Sequence, residues 1–327
     1  MLTLQQTAQE LLSFEDVLIL CHRNPDGDTL GSGYALCRAY LEHGVRARVF
    51  CSDEVPEKFH YLSDGIPQTE FTPRHILSVD VADPGLLGEK ALNLVASLHP
   101  VELSIDHHPT HRQFADEIYV EANSASCCEI IRVLLEEMGW EVTPSIASCL
   151  YTGIATDTGC FKYSNVTAKT HMIVSQLYEY NIGAPEINRI MFDTKSRKLL
   201  ELERMVLDAS EFHFGGKCIL LPVTAEMQEK TGCSGTELEG IAVISRSVEG
   251  VIAGITVKQT DDAEFKVSLR TYPPLDASAI CRKLGGGGHK GAAGASVNGT
   301  LDEVKAAVLK AVEETMEECN AGADINR

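Results

Sequence analysis

The chain has 327 residues, 44% of them hydrophobic, and a formal net charge of −19. That length allows two domains with their own cores, and the charge excludes a general binder of long duplex nucleic acid, whose affinity grows with the phosphates that Lys and Arg neutralise. No apolar run approaches the roughly 20 residues of a membrane span, and the N-terminus MLTLQQTAQELLSFED lacks the basic and apolar regions of a secretory signal, so a cytoplasmic location without membrane partners is expected.

Taken in chain order, DVLILC (16–21) predicts a buried strand, and residues 29–43 a helix, with Leu30, Tyr34, Cys37 and Leu41 at helical spacing. ARVFCS (47–52) predicts a second strand, and HILSVD (75–80) and VELSID (101–106) two more, each ending on Asp. EIIRVLLEEMG (129–139) predicts a helix closed by Gly139, and SIASCLYTGIATD (145–157) a helix carrying Asp157 at its end. Alternation of this kind argues for a mostly parallel sheet covered on both faces.

From Ala184 to Glu211 the pattern is helical and charged, as expected of linker helices. KCILLPV (217–223), GVIAGITVK (250–258) and EFKVSLR (264–270) predict strands, TELEGIAVISRSV (236–248) a helix, and Thr300 with Glu303 a capping box that opens a last helix. The expected architecture is α/β: a larger N-terminal parallel-sheet domain (1–183), a helical linker (184–211), a smaller C-terminal α/β domain (212–319) and a frayed tail (320–327). The eleven cysteines form no CxxC pair, and reduced core thiols are expected.

The chemistry-bearing residues stand at element ends. HRNPDGD joins the first strand to the first helix, and its turn residues Asn24, Pro25 and Gly27 bring His22, Asp26 and Asp28 near one strand end. Asp80 closes an apolar run, where an ionised carboxylate needs a partner. Asp106-His107-His108 closes another, and Asp157 lies in Thr-Asp-Thr-Gly. Taken singly, each reads as a cap or a satisfied polar group. Together they sit where open α/β sheets form active sites, outside the carboxyl ends of the strands. His22, Asp26, Asp28, Asp80, His107 and Asp157 are therefore read as ligands of two divalent ions. Carboxylate with imidazole favours Mn²⁺ first and Mg²⁺ second. Asp80 is the expected bridge, and the chemistry is hydrolysis of a phosphate ester or anhydride by activated water.

A glycine run, Leu284 to Lys290, is the second informative segment. Gly286, Gly287 and Gly288 let the backbone approach a ligand and aim N–H groups at an anion. His289 can add a donor. Apolar patterns on both sides argue against a linker. Arg270, at the end of EFKVSLR, can fork onto a phosphate.

HRNPDGDTLGS, SVDVADP, SIDHHP, TGIATDTGCFKYSN and GGGGHKGAAG, in this order, resemble the DHH phosphoesterases over nearly the whole chain, and among them the two-domain oligoribonucleases, or nanoRNases. The resemblance implies two Mn²⁺ on the six ligands with Asp80 bridging. It implies His108 as a contact to the scissile phosphate and Asp106 as the group that orients the histidines. It implies a grip on the far end of the substrate by Arg270 and the Gly286–His289 loop. The substrates implied are short RNA or DNA oligonucleotides, cut to mononucleotides, and 3′-phosphoadenosine 5′-phosphate (pAp), which loses its 3′-phosphate. A grip and a metal site on different domains would measure a few nucleotides and disfavour long substrates. A homodimer is the oligomeric state considered.

The nearest rival is a phosphodiesterase for linear or cyclic dinucleotides such as pApA or cyclic di-AMP. Inorganic pyrophosphatases share the first motifs but lack GGGGH, and a silent nucleotide sensor would have lost a metal ligand. Thr271 stands where many relatives carry Ser, followed by Tyr272-Pro273-Pro274, and Cys127, Cys128 and Cys160 stand where relatives often carry polar or basic groups. Inert packing is the expected role of Cys127 and Cys128, with oxidative modulation the alternative.

Overall fold

The computed structural model describes residues 1–325 apart from 68, 234–237 and 239. The chain divides into two compact units, Met1–Thr194 and Lys195–Arg327. The first runs α1 (Leu4–Ser13), β1 (Val17–Leu20), α2 (Gly27–Glu42), β2 (Ala47–Phe50), β3 (His75–Val79), α3 (Gly88–Ser97), β4 (Leu103–Asp106), β5 (Glu117–Val120), α4 (Cys127–Glu137), α5 (Pro144–Asp157), α6 (Ala168–Tyr178) and α7 (Ala184–Asn188).

Its sheet is all-parallel with strand order β2-β1-β3-β4-β5. Side chains alternate between its faces. Val17, Ile19, Leu77, Val79, Leu103 and Ile105 enter the larger core with α2, α4 and α5. Leu18, Leu20 and Ile76 enter a smaller core on the opposite face with Leu87 and Ala91. Both faces are buried, which is why these strands read as continuous apolar runs. The order reverses between β1 and β3. This is the topological switch point, at whose carboxyl edge open α/β sheets bind ligands. Strand β5 escaped the sequence reading because only Ile118 of its four residues is buried, too little to show a pattern.

The helices over this edge pack closely. A methyl group on Gly31 of α2 would meet the Cys149 carbonyl of α5, and one on Gly153 of α5 would overlap Cys128 Sγ of α4. Bare backbone at these points lets α2, α4 and α5 bring their ends together.

The second unit runs α8 (Arg197–Asp208), β6 (Glu211–His213), β7 (Cys218–Val223), α9 (Ala225–Thr231), α10 (Ile241–Ile244), β8 (Ala253–Asp261), β9 (Glu264–Thr271), α11 (Ala277–Lys283), β10 (Gly287–His289), β11 (Ala292–Asn298) and α12 (Leu301–Ile325). Its sheet has the order β10-β11-β9-β8-β7-β6 and is antiparallel except for the β7–β8 pair. One face packs on α11 and α12 through Val267, Leu269, Ile280, Val304 and Val308. Ile219 and Leu221 on the other face pack with Leu202 and Val206 of α8.

The α/β class with a larger parallel-sheet N-terminal part and a smaller C-terminal sheet is observed. Residues 184–211 are not a free linker. Ala184 and Ile187 of α7 are buried in the first unit's core and Leu202 and Val206 of α8 in the second's, so each helix is held by one core. The expected tail over 320–327 is helical as far as Ile325, a continuation of α12. The start of the helix expected over 236–248 lies outside the described residues. Among the described residues no helix is long and apolar enough to cross a membrane.

Candidate active site

Three adjacent strands deliver the first unit's polar residues to one edge. His22 follows β1, Asp80 follows β3, and Asp106-His107-His108 ends and follows β4. Asp26 is the N-cap of α2, where Oδ1 accepts the N–H groups of Asp28 and Thr29. Asp157 ends α5. Asp80 has φ of +59°, a left-handed conformation costly for a side-chain-bearing residue and typical of functional positions. The Asp80 N–H donates to the Ile105 carbonyl at 2.9 Å, which holds it in that turn.

Asp80 divides its carboxylate between two groups. Its Oδ2 lies 3.7 Å from His22 Nε2, which is itself 3.6 Å from Asp26 Oδ1. Its Oδ1 lies 3.4 Å from His107 Nε2, which faces Asp28 Oδ2 at 3.8 Å and Asp157 Oδ2 at 3.7 Å. Ligand atoms of His22, Asp26 and Asp80 all lie within 4.8 Å of one another, and so do those of Asp28, His107 and Asp157.

His22 and His107 are oriented alike. His22 Nδ1 faces the Arg23 carbonyl at 2.8 Å and His107 Nδ1 the Ser124 carbonyl at 3.3 Å. A proton on each Nδ1 satisfies these acceptors and turns the Nε2 lone pair into the acidic cluster, the arrangement metal-ligating histidines adopt. His108 is turned differently. Its Nδ1 donates to Asp106 Oδ1 at 2.8 Å, an oxygen that also accepts the His107 N–H at 2.8 Å. Asp106 is fully buried.

The charges are strongly coupled. Burial disfavours the protonated His22 and His107 rings, but the carboxylates around them win and raise them to about 11 and about 10. Burial and the repulsion of Asp80 and Asp157 push Asp28 well up. Burial raises Asp157 to about 7, with His107 opposing and Asp80 adding to the rise. Burial would also raise Asp80, yet its contacts to His107 and His22 hold it below the usual carboxylate range. His108 is raised, because the Asp106 hydrogen bond and the charge of Asp80 outweigh burial.

Metal cations fit this donor set. Asp80 Oδ1 and Asp106 Oδ2 are inaccessible to solvent and accept no hydrogen bond. An anionic oxygen left without a donor in a buried place is costly. A cation on Asp80 Oδ1, with imidazole lone pairs and further carboxylates around it, removes that cost.

Sequence similarity agrees with the geometry. The family model described as DHH family, N-terminal domain, matches residues 16–154, and that of the DHHA1 domain matches residues 216–318. The bifunctional oligoribonuclease and PAP phosphatase NrnA of Thermus thermophilus is 32% identical over 310 residues, covering 92% of this chain and 90% of its own. The chain belongs to the DHH family. The NrnA of Bacillus subtilis is 26% identical over 292 residues, covering 88% of this chain and 91% of its own. In fold, an exopolyphosphatase-related protein from Bacteroides fragilis superposes with a TM-score of 0.87 at 22% identity, covering 97% of both chains. DHH-family proteins are metal-dependent, in keeping with the cluster.

In this DHH chain the DHHA1 unit carries the remaining expected site residues. Arg270 of β9 pairs with Ala292 of β11, which pairs with His289 of β10. Cross-strand partners project to the same side of a sheet. Arg270 and His289 thus share one face with Ala292 between them, opposite the face that buries Leu269. The second half of the glycine run, Gly287–His289, is strand β10 rather than open loop, and it follows a turn at Leu284-Gly285. A side chain on Gly286 would strike Gly294 and Ala295, and one on Gly288 would strike Ala293, whereas Gly287 has open space. Close strand packing on β11 thus accounts for glycine at 286 and 288.

Sequence reasoning missed two features of the DHH site. The backbone N–H groups of Cys127 and Cys128, at the start of α4, donate to Asp28 Oδ2 at 2.6 Å and Oδ1 at 2.9 Å. Ser126 with Glu129 is an N-terminal capping pattern that could have located this helix start. Asn165 Nδ2 donates to the carbonyls of Ala125 at 2.9 Å and Asp157 at 3.1 Å, and nothing in its spacing signals that role. Cys127 and Cys128 themselves are buried, and burial raises both thiols well above their ordinary range, a setting for unreactive packing.

Proposed function

We propose that this chain is a phosphoesterase that hydrolyses short oligonucleotides to mononucleotides and removes the 3′-phosphate of pAp. The relatives named above carry both activities in their names. The observation that carries the reading is Asp80, whose two oxygens serve separate ligand groups from a strained backbone. Two divalent ions are proposed, Mn²⁺ before Mg²⁺. His22, Asp26 and Asp80 would hold one; Asp28, Asp80, His107 and Asp157 would hold the other. When bound, such a pair lowers the pKa of water and offsets charge developing at phosphorus.

The chain's own groups supply the rest. Asp106 engages Nδ1–H of His108, fixes the ring and favours its protonated form, whose Nε2–H would donate to an oxygen of the scissile phosphate. Side-chain exposure of 34% at His108, against 13% at His107, suits a substrate contact rather than a ligand. Arg270 and His289 of the DHHA1 unit are proposed to bind a terminal phosphate or nucleotide of the substrate. Partners are short oligonucleotides or small nucleotides, not long duplexes, consistent with a net charge of −19.

The test is product analysis with added Mn²⁺ or Mg²⁺ on pAp, pApA, cyclic di-AMP and short oligoribonucleotides, with Asp80→Ala as control. Mononucleotides from the oligomers and inorganic phosphate from pAp are expected. Turnover confined to pApA or cyclic di-AMP would move the reading to a dinucleotide phosphodiesterase. Wild-type rates in Asp80→Ala would overturn the metal assignment.

A further inference from the structure

Residues 124–128, the end of the β5–α4 loop and the first two residues of α4, contact His107 and Asp28 directly and Asp157 through Asn165, and hydrogen-bond to neither His22 nor Asp26. The Ser124 carbonyl faces His107 Nδ1 at 3.3 Å. The Ala125 carbonyl accepts from Asn165 Nδ2 at 2.9 Å, and the same nitrogen donates to the Asp157 carbonyl at 3.1 Å. Cys127 and Cys128 hold both oxygens of Asp28 through backbone N–H groups. All five residues are buried. The ends of the segment are themselves tied down. Ser126 Oγ accepts the Glu129 N–H at 3.2 Å, and Glu129 Oε2 accepts the Ala125 N–H at 3.2 Å.

The other group is anchored elsewhere. His22 N–H donates to Thr29 Oγ1 at 3.3 Å, and that hydroxyl donates to the Val79 carbonyl beside Asp80 at 3.1 Å. His22 Nδ1 faces Arg23, and Asp26 caps its own helix. None of these hydrogen bonds reaches residues 124–128.

We propose that Asn165 and the 124–128 segment form a brace for one ion of the pair, the one on Asp28, His107 and Asp157, and not for the one on His22 and Asp26. Asn165 is then a positioning residue. It ties the end of α5 to the segment that aims His107 and clamps Asp28. Because ligand orientation by outer partners sets affinity, the two ions have separable supports within one cluster. This inference rests on the two-ion reading above.

The experiment titrates Mn²⁺ into metal-free full-length protein, with calorimetry for affinity and electron paramagnetic resonance for pairing. Wild type should bind two ions and give an exchange-coupled signal; if it binds none or one, the two-ion reading fails and the brace with it. Two variants loosen the brace from opposite ends. Asn165→Ala removes the amide. Cys127→Pro removes the N–H on Asp28 at the first position of α4, where proline is tolerated. Each should bind one ion within about threefold of wild type and the second about tenfold or more weaker, with the isolated six-line Mn²⁺ spectrum replacing the coupled one. His22→Ala should weaken the other ion, and His22→Ala with Asn165→Ala should weaken both. Two wild-type affinities in both brace variants, or equal weakening of both ions, would overturn the proposal. Thermal unfolding in EDTA is run alongside. If both brace variants unfold before any titration is feasible, the segment is a folding element and the brace is likewise refuted.

Discussion

Asp80 Oδ1 points at His107 Nε2 from 3.4 Å, yet it accepts no hydrogen bond and is sealed from solvent. A folded chain does not ordinarily leave an anionic oxygen in that state. A cation that both residues could reach would remove the cost of that state, and the substitutions below test the proposed role of the pair.

Asp80→Asn keeps the side-chain shape, and asparagine tolerates the left-handed backbone at this position. It removes the charge shared between the two groups. A fall in kcat of roughly a thousandfold is expected, equivalent to the several kcal/mol that metal ions contribute to such transition states. Steady-state rates with saturating Mn²⁺, paired with metal analysis, check this; a loss below tenfold would show that Asp80 is peripheral.

His107→Ala and His108→Ala should separate two neighbouring roles. His107→Ala is expected to lose one bound ion, because Nε2 faces three carboxylates. His108→Ala should keep both ions and lower kcat by about a hundredfold, the scale of one positioned proton donor. Metal content measured beside kcat decides, and loss of an ion in His108→Ala would make it a ligand.

Gly153→Ala places a methyl group on Cys128 Sγ and 2.8 Å from Asp28 Oδ1. Overpacking of this kind costs about 1–3 kcal/mol. Adding Cys128→Ala removes the sulfur and should recover much of that stability in urea unfolding. Activity should stay low in the double variant, because the contact with Asp28 persists. Full recovery of both would mean that the methyl group disturbs only α4.

Without metal, stability should fall as pH rises from about 6 to about 9. His22 and His107 are raised from 6.5 to about 11 and about 10, so their contribution is complete below the unfolded value and is lost as pH climbs toward the folded ones. Asp157 is raised from 3.8 to about 7, so the folded state keeps a proton the unfolded state has released, and it too loses stability with rising pH over that interval. The lowering of Asp80 acts only below 3.8 and does not enter. A divalent ion displaces these protons and binds more tightly as pH rises. Thermal unfolding in EDTA and in Mn²⁺ across this range should therefore diverge; parallel curves would contradict the coupling.

Arg270→Lys keeps charge but loses the planar fork. A rise in KM of about tenfold with little change in kcat is expected for pAp, the signature of lost ground-state binding. His289→Ala should act in the same direction, since both side chains share one sheet face. A fall in kcat at unchanged KM would point to a role in chemistry instead.

Much of this was legible in the residues themselves. Buried parallel strands leave continuous apolar runs, so β1, β3 and β4 could be read, and the polar residues closing them marked one sheet edge. Local sequence and family resemblance also singled out His22, Asp26, Asp28, Asp80, His107 and Asp157, which the structure brings close together at one sheet edge. Other features have no local signature. Residues 184–211 look like a linker because they are charged, but Ile187 and Leu202 choose different cores, and that choice depends on surfaces far away in the chain. The glycine run looks like a loop because glycine has no side chain to show period; only its partner β11 shows that 286 and 288 need bare backbone.

The sequence by itself determined which carboxylates, imidazoles and guanidinium are available for the proposed metal and phosphate contacts, and that they stand at element ends. Only the tertiary structure decided how they divide: Asp80 splitting its oxygens, Asp28 clamped by α4, and Asn165 joining Asp157 to the segment that aims His107. The reason is physical. Ligand identity belongs to a residue, whereas orientation belongs to hydrogen bonds from backbone groups a hundred positions distant, as between Asp28 and Cys128, and those exist only once the sheet edge has formed.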